Sequence, residues 1–269
     1  LNNNLVLIKG AGDLASGTAH RLARCGYSVT MLEIEQPTVI RRTVSFAEAI
    51  YRGKYTVEEV TAELASGVDK IRAVLDKGNI AVAVDPSWSL VGALKPAVVI
   101  DAVLAKKNLG TGIDEAPVVI GLGPGFNAGV DVHAVVETKR GHNLGRVILA
   151  GAAEPNTGIP GIIGSFGEER VLRAPAAGLF DARKKIGDQV VKGELLALVE
   201  GIPLTATIDG VLRGLLKSGL SVHKGMKVGD IDPRAEREHC FTISDKSRAV
   251  AGGALEALLY LSLRGRRYT

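Results

Sequence analysis

Five small or acidic residues crowd the start of this 269-residue chain: Gly10, Gly12, Asp13, Ser16 and Gly17, with Glu33 following 18 residues after Ala15. Gly10 permits a tight turn, Gly12 lets backbone approach a phosphate, and Ala15 lets a helix pack closely on the preceding strand. The helix start then offers unpaired N–H groups to an anion. An acidic residue about 20 positions on reaches a ribose 2′-hydroxyl, and a carboxylate there favours a free hydroxyl over a 2′-phosphate. The chemistry expected is capture of a nucleotide-like anion. Asp13 stands where a pyrophosphate would lie, so two readings stay open: a helix cap, or a ligand for a metal ion or a protonated group. Ser16 and Gly17 are small either for packing or because a ligand covers the turn.

Other side chains extend the candidate set. Arg41 and Arg42 follow the second apolar run and suit bidentate contact with phosphate or carboxylate, or a surface salt bridge. Asp101 is a candidate catalytic group or metal ligand, and Lys106 and Lys107 after it can meet phosphate or form a solvated face. The Gly121–Gly125 stretch, with Gly123 and Gly125, reads either as an anion nest or as a tight turn under close packing. His142 is a second catalytic candidate because imidazole titrates near neutrality, although no spacing fixes a partner for it. No Ser/His/Asp triad, Walker loop or metalloprotease motif occurs.

These residues need elements to hold them. Short apolar runs at 5–8, 80–84, 97–100 and 118–120 suit strands of a sheet buried on both faces, whose ligands lie beyond the strands' carboxyl ends. The fold class expected is α/β, with a Rossmann-like parallel sheet domain over 1–165. From Arg173 the texture changes. Two segments, starting at Ala174 and Ala206, align without a gap at an offset of 32 residues, matching Gly178 with Gly210, Gly187 with Gly219 and Gly193 with Gly225. Glycine-punctuated β-like runs of this kind predict a pseudo-twofold all-β module over 166–233. The pattern resembles the biotinyl/lipoyl-type barrel-sandwich hybrid family, but the hairpin at 200–205 lacks the modifiable lysine, so an unmodified structural or docking module is expected. Residues 234–269 are expected to form a helical segment packing on the first domain.

Composition narrows the classes. Aromatic residues make up 4% of the chain and the net charge is only +4, which argues against a base-stacking nucleic-acid surface. No apolar run reaches the roughly 18 residues of a membrane span. Cys25 and Cys240 lack metal or redox spacing, Cys25 is expected as a small buried residue, and a cytoplasmic location is the simple expectation.

Taken together, IKGAGDLASGTAHRL, PTVIRRTVSFAEAIYRG, DAVLAKKNLGT, GLGPGFNAGVDVHAVVETKRGHNLGR, VGDIDPR and ISDKSRAVAGGALEALL make the chain resemble the YqeB-type accessory proteins of the selenium-dependent molybdenum hydroxylase system, distantly similar to the XdhC group. The resemblance implies an accessory protein for hydroxylase maturation, acting on or delivering the molybdenum cofactor. Its partners would be the client hydroxylase and other maturation factors. The pterin dinucleotide form of that cofactor and an NAD-like dinucleotide both contain a ribose and a pyrophosphate, so either fits the Gly10–Gly17 turn. An NAD-dependent oxidoreductase and a non-catalytic docking scaffold are the alternatives. Whether a reaction is catalysed, and whether the chain forms a homo-oligomer, stay open.

Overall fold

The computed structural model describes residues 4–158, 161–163 and 165–264. The chain divides into two units, one of Leu1–Pro37, Ser45–Asn156 and Ile243–Thr269, the other of Thr38–Val44 and Thr157–Thr242.

The first unit begins with β1 (Leu5–Lys9), α1 (Asp13–Arg24) and β2 (Ser28–Glu33). Next come α2 (Glu48–Arg52), the hairpin β3 (Lys54–Val57) and β4 (Val60–Leu64), α3 (Val68–Leu75), β5 (Ile80–Val84), α4 (Leu90–Leu94) and β6 (Val98–Asp101). β7 (Val118–Leu122), β8 (Asn127–Ala128), β9 (Ala134–Val136), β10 (Val147–Ile148) and β11 (Gly151–Ala152) follow. Nine of these strands form one sheet in the order β10-β9-β7-β6-β1-β2-β5-β4-β3. The seven inner strands, β9, β7, β6, β1, β2, β5 and β4, run parallel, in register Leu7 to Thr30 and Leu7 to Val99 around the centre. β1, β6 and β7 are buried along their whole length, as continuous apolar runs in a doubly covered sheet must be. Leu7, Leu32, Ile71, Val99, Val119 and Val135 are part of the core on one face.

The expected Rossmann-like parallel sheet is corrected by this topology: the sheet is mixed, with an antiparallel strand at each edge. The reason is local. β3 and β4 are joined through only Glu58 and Glu59, and so short a link cannot make a parallel crossover. β3 is largely exposed, so no apolar run announces it.

The second unit contains β12 (Val171–Arg173), β13 (Gly178–Ala182), β14 (Gln189–Val190), β15 (Leu195–Val199), β16 (Ile202–Thr205), β17 (Gly210–Leu215), β18 (Ser221–Val222) and β19 (Lys227–Asp232). The 32-residue repeat emerges as β13-β14-β15 against β17-β18-β19. β13 pairs with β18 and β14 with β17, so each half completes the other's pairing. Gly178 and Gly210 both hold positive φ, at 138° and 152°, which explains the matched glycines. In place of the expected barrel-sandwich hybrid, the structure has two four-stranded antiparallel sheets, β12-β19-β17-β14 and β16-β15-β13-β18. Phe180, Leu196, Val211, Leu215 and Ile231 lie in their shared core.

Where the sequence places a module at 166–233, the second unit also takes in 38–44, 157–165 and 234–242. The backbone N–H of Leu215 donates to the Ile40 carbonyl, which stitches the early segment into this unit. The remaining helix, α5 (Asp245–Arg264), belongs to the first unit and packs against α1. No helix among the described residues is long and apolar enough to cross a membrane. Cys25, expected buried, is exposed because it sits at the C-cap of α1 rather than on its inner face, whereas Cys240 is buried.

Candidate functional site

The carboxyl ends of β1, β2 and β6 lie side by side, and chemistry-bearing residues gather there. Beyond β1 the chain turns at Gly10, whose φ of 93° is costly for any residue with a Cβ and whose N–H donates to the Leu32 carbonyl at 2.7 Å. A Cβ at this position would also lie 3.0 Å from the Ala102 carbonyl oxygen. Gly12 is the N-cap of α1 with extended backbone and no side-chain cap, so Asp13 is the first helical residue rather than the cap. Its charge there complements the positive end of the helix dipole.

Glu33, at the end of β2, folds onto this turn. Its Oε2 accepts the Ala11 N–H at 2.9 Å and its Oε1 accepts the Ile34 N–H at 2.8 Å. Burial raises its pKa above the ordinary value of 4.5, against the opposing pull of those two backbone donors. A carboxylate has about four acceptor sites, so two N–H groups leave room for hydroxyl donors.

A buried polar network lies alongside, built on a residue outside the glycine-rich motif. Lys9 ends the apolar run of β1 and is fully buried. Its Nζ lies 2.8 Å from Thr111 Oγ1, 2.7 Å from Glu115 Oε2 and 2.8 Å from Glu115 Oε1, with the Trp88 ring centroid at 4.0 Å. Thr111 in turn donates to Asp101 Oδ2 at 2.6 Å, and Asp101 Oδ1 accepts the Val103 N–H at 3.1 Å. Asp101 is thus tied to Lys9 through one hydroxyl. Trp88, Leu104 and Lys106 hold positive φ, at 59°, 61° and 64°, an arrangement that concentrates backbone strain in the loops at this end of the sheet. The lysine at the end of an otherwise apolar run was the sequence signal for this network.

The other candidates fall elsewhere or serve the fold. Ser16 is fully buried; it donates to the Ala11 carbonyl and accepts the Phe46 N–H at 2.8 Å. Gly17 faces α5, where a Cβ would fall 2.1 Å from Ser247 Oγ. Both are small for packing. Arg41 and Arg42 belong to the second unit: Arg41 donates to the carbonyls of His239 and Thr242, and Arg42 to that of Leu215. Lys106 and Lys107 are exposed on the loop after β6. Gly125 lies under that loop, with Lys107 Cα 2.7 Å from where a Cβ would be, and Gly123 is pressed on Thr138. Close packing therefore accounts for these two glycines. His142 is exposed on the turn between β9 and β10. Nearby Glu137 is buried and accepts the N–H groups of Lys139 and Glu154.

The chain is 52% identical over 267 residues to a protein of Escherichia coli (strain K12) described as uncharacterized protein YqeB. The match takes in 99% of this chain and 49% of that protein, so the chain spans about half the length of its curated relative. No family model matches. Among solved structures, an aspartoacylase family protein from Mesorhizobium loti is 11% identical, with 86% of this chain and 85% of that one covered and a TM-score of 0.28. A succinylglutamate desuccinylase from Silicibacter sp. TM1040 is 13% identical at the same coverages, with a TM-score of 0.26. At these scores neither likeness carries an argument about this chain.

Proposed function

We propose that this chain, which its identity with YqeB supports as a member of a YqeB family, binds a dinucleotide at the carboxyl ends of β1, β2 and β6. Its role on this reading is that of an accessory protein in maturation of a selenium-dependent molybdenum hydroxylase. The ligand is the pterin dinucleotide form of the molybdenum cofactor or an NAD-like dinucleotide. One observation carries the reading: the positive-φ turn at Gly10 delivers the start of α1 beside Glu33, whose carboxylate already grips the Ala11 N–H at 2.9 Å. The backbone of Gly12 and the first turn of α1 would face the pyrophosphate. Glu33 would accept the ribose hydroxyls. Lys9, at the end of β1, is fixed by Thr111 and Glu115, and Asp101 is held in one orientation by Thr111 and Val103.

Gly12 gives a clean test because its φ of −74° suits any residue, so a larger side chain there fills space without straining the backbone. Mass spectrometry of small molecules released from the denatured protein identifies the ligand, and titration with that dinucleotide gives its affinity. Gly12→Val is expected to weaken binding at least about tenfold, a loss of about 1.4 kcal/mol. Unchanged affinity in a folded Gly12→Val protein would sink the assignment.

A further inference from the structure

A second cluster lies on the first unit, away from the sheet's carboxyl edge, where α1, α5 and the turn between β3 and β4 approach one another. His20, on α1, has only 5% of its side chain exposed, yet its Nε2 has no hydrogen-bond partner among the described residues. It lines a cavity of about 290 Å³ together with Arg21, Arg24, Cys25 and Arg248. Facing Nε2 are Glu59 Oε2 at 3.4 Å and Glu58 Oε2 at 3.6 Å, and the three atoms lie within 4.8 Å of one another.

Both separations are longer than those of a tight ion pair. A protonated imidazole engaging a carboxylate brings nitrogen and oxygen to about 2.7–2.9 Å. Neither contact comes so close. Ligand atoms at about 2.0–2.2 Å from one tetrahedral ion are instead separated by about 3.3–3.6 Å, and both carboxylate oxygens stand at that spacing from Nε2.

The remaining oxygens are already committed. Glu59 Oε1 pairs with Arg24 Nε at 3.0 Å, while Glu58 Oε1 takes Arg248 Nη2 at 2.7 Å and the Ile243 N–H at 3.0 Å. Each carboxylate is therefore oriented from outside, with its second oxygen left toward His20, as outer partners orient the ligands of a metal. Glu58 is held at φ 51° in the two-residue link of the hairpin, a position where glycine or asparagine is usual. We propose that His20 Nε2, Glu58 Oε2 and Glu59 Oε2 bind one divalent transition-metal ion of the Zn²⁺ type. Its remaining coordination position opens to the cavity. The arginines that line the cavity favour an anionic fourth ligand.

The test uses the full chain, stripped with a chelator and titrated with Zn²⁺ against a chromophoric competitor, with Co²⁺ absorption reporting the geometry. One Zn²⁺ per chain and intense visible bands of four-coordinate Co²⁺ are expected. His20→Gln should weaken Zn²⁺ at least about 100-fold, beyond the 10–100-fold cost of losing an outer partner. Glu59→Gln alters a half-exposed residue of the hairpin link, so it decides the matter even if the His20 variant does not fold. Cys25→Ser should bind as the parent does. Absence of stoichiometric binding, equal binding by Glu59→Gln, or loss in Cys25→Ser would each overturn the proposal.

Discussion

Glu33 shows how one residue can couple the candidate site to stability. Burial raises its pKa in the folded chain above 4.5, so the native state holds that proton more tightly than the unfolded chain. The stability it contributes is then fully present below pH 4.5 and is lost as pH rises through the elevated folded value. Glu33→Gln removes this dependence. In urea unfolding at a series of pH values, the variant should gain on the parent as pH rises from 4.5 through that elevated value, at no more than about 1.4 kcal/mol per pH unit. Parallel profiles would mean that the carboxylate is not strained by burial, and would remove the reason to expect it to welcome a ligand's hydroxyls. This half of the candidate site was legible in sequence because Gly10, Gly12 and Glu33 are linked by one strand-helix-strand unit. The Lys9 network was not, since its partners Thr111 and Glu115 lie 102 and 106 residues away. Ser16 and Gly17 misled for a related reason: smallness records close approach, and sequence does not say whether a ligand or α5 approaches.

Between elements, glycine again marks contact distance. On α5, a Cβ at Gly253 would fall 2.1 Å from the Gly145 carbonyl oxygen and 2.8 Å from Val136 Cγ1, and one at Gly145 would fall 2.6 Å from the Ala249 carbonyl. The helix can pass β9 and its following turn only because both positions lack side chains. Alanine is a better helix former than glycine by about 1 kcal/mol, yet Gly253→Ala should destabilise the chain by about 1–3 kcal/mol through overpacking. Gly92 on α4 has nothing within 4 Å of its Cβ position, so Gly92→Ala should be neutral or stabilise by about 0.5–1 kcal/mol. Urea midpoints moving in the same direction for both variants would contradict the packing argument. The sequence showed the parallel core strands through their apolar runs, and the 32-residue repeat through its matched glycines. It hid β3 and β10, which are too exposed or too short to carry a pattern, and these strands make the sheet mixed. It also hid residues 38–44, whose place in the second unit depends on pairing with Leu215, far along the chain.

At the scale of the whole chain, each unit has its own core. One cluster of buried side chains runs from Leu172 to Cys240 in the second unit, and another joins Leu5, Leu7, Val99 and Val135 in the first. Two such cores allow sub-global unfolding at different free energies. The second unit also contains a buried ion pair, Arg170 Nη1 to Asp230 Oδ1 at 2.8 Å, with each side chain 8% exposed. Asp230 lies on β19, which β12 and β17 flank. Removing the guanidinium strands a carboxylate out of water, so Arg170→Ala should cost about 3–5 kcal/mol. If the cores open separately, native-state hydrogen exchange will show faster amide exchange at Leu212 and Ile231, while Leu7, Val99 and Val119 keep the protection of the parent. An equal loss at all five amides would instead make the chain a single cooperative unit. In that case, a defect in the two four-stranded sheets would reach the turn at Gly10 through global unfolding alone.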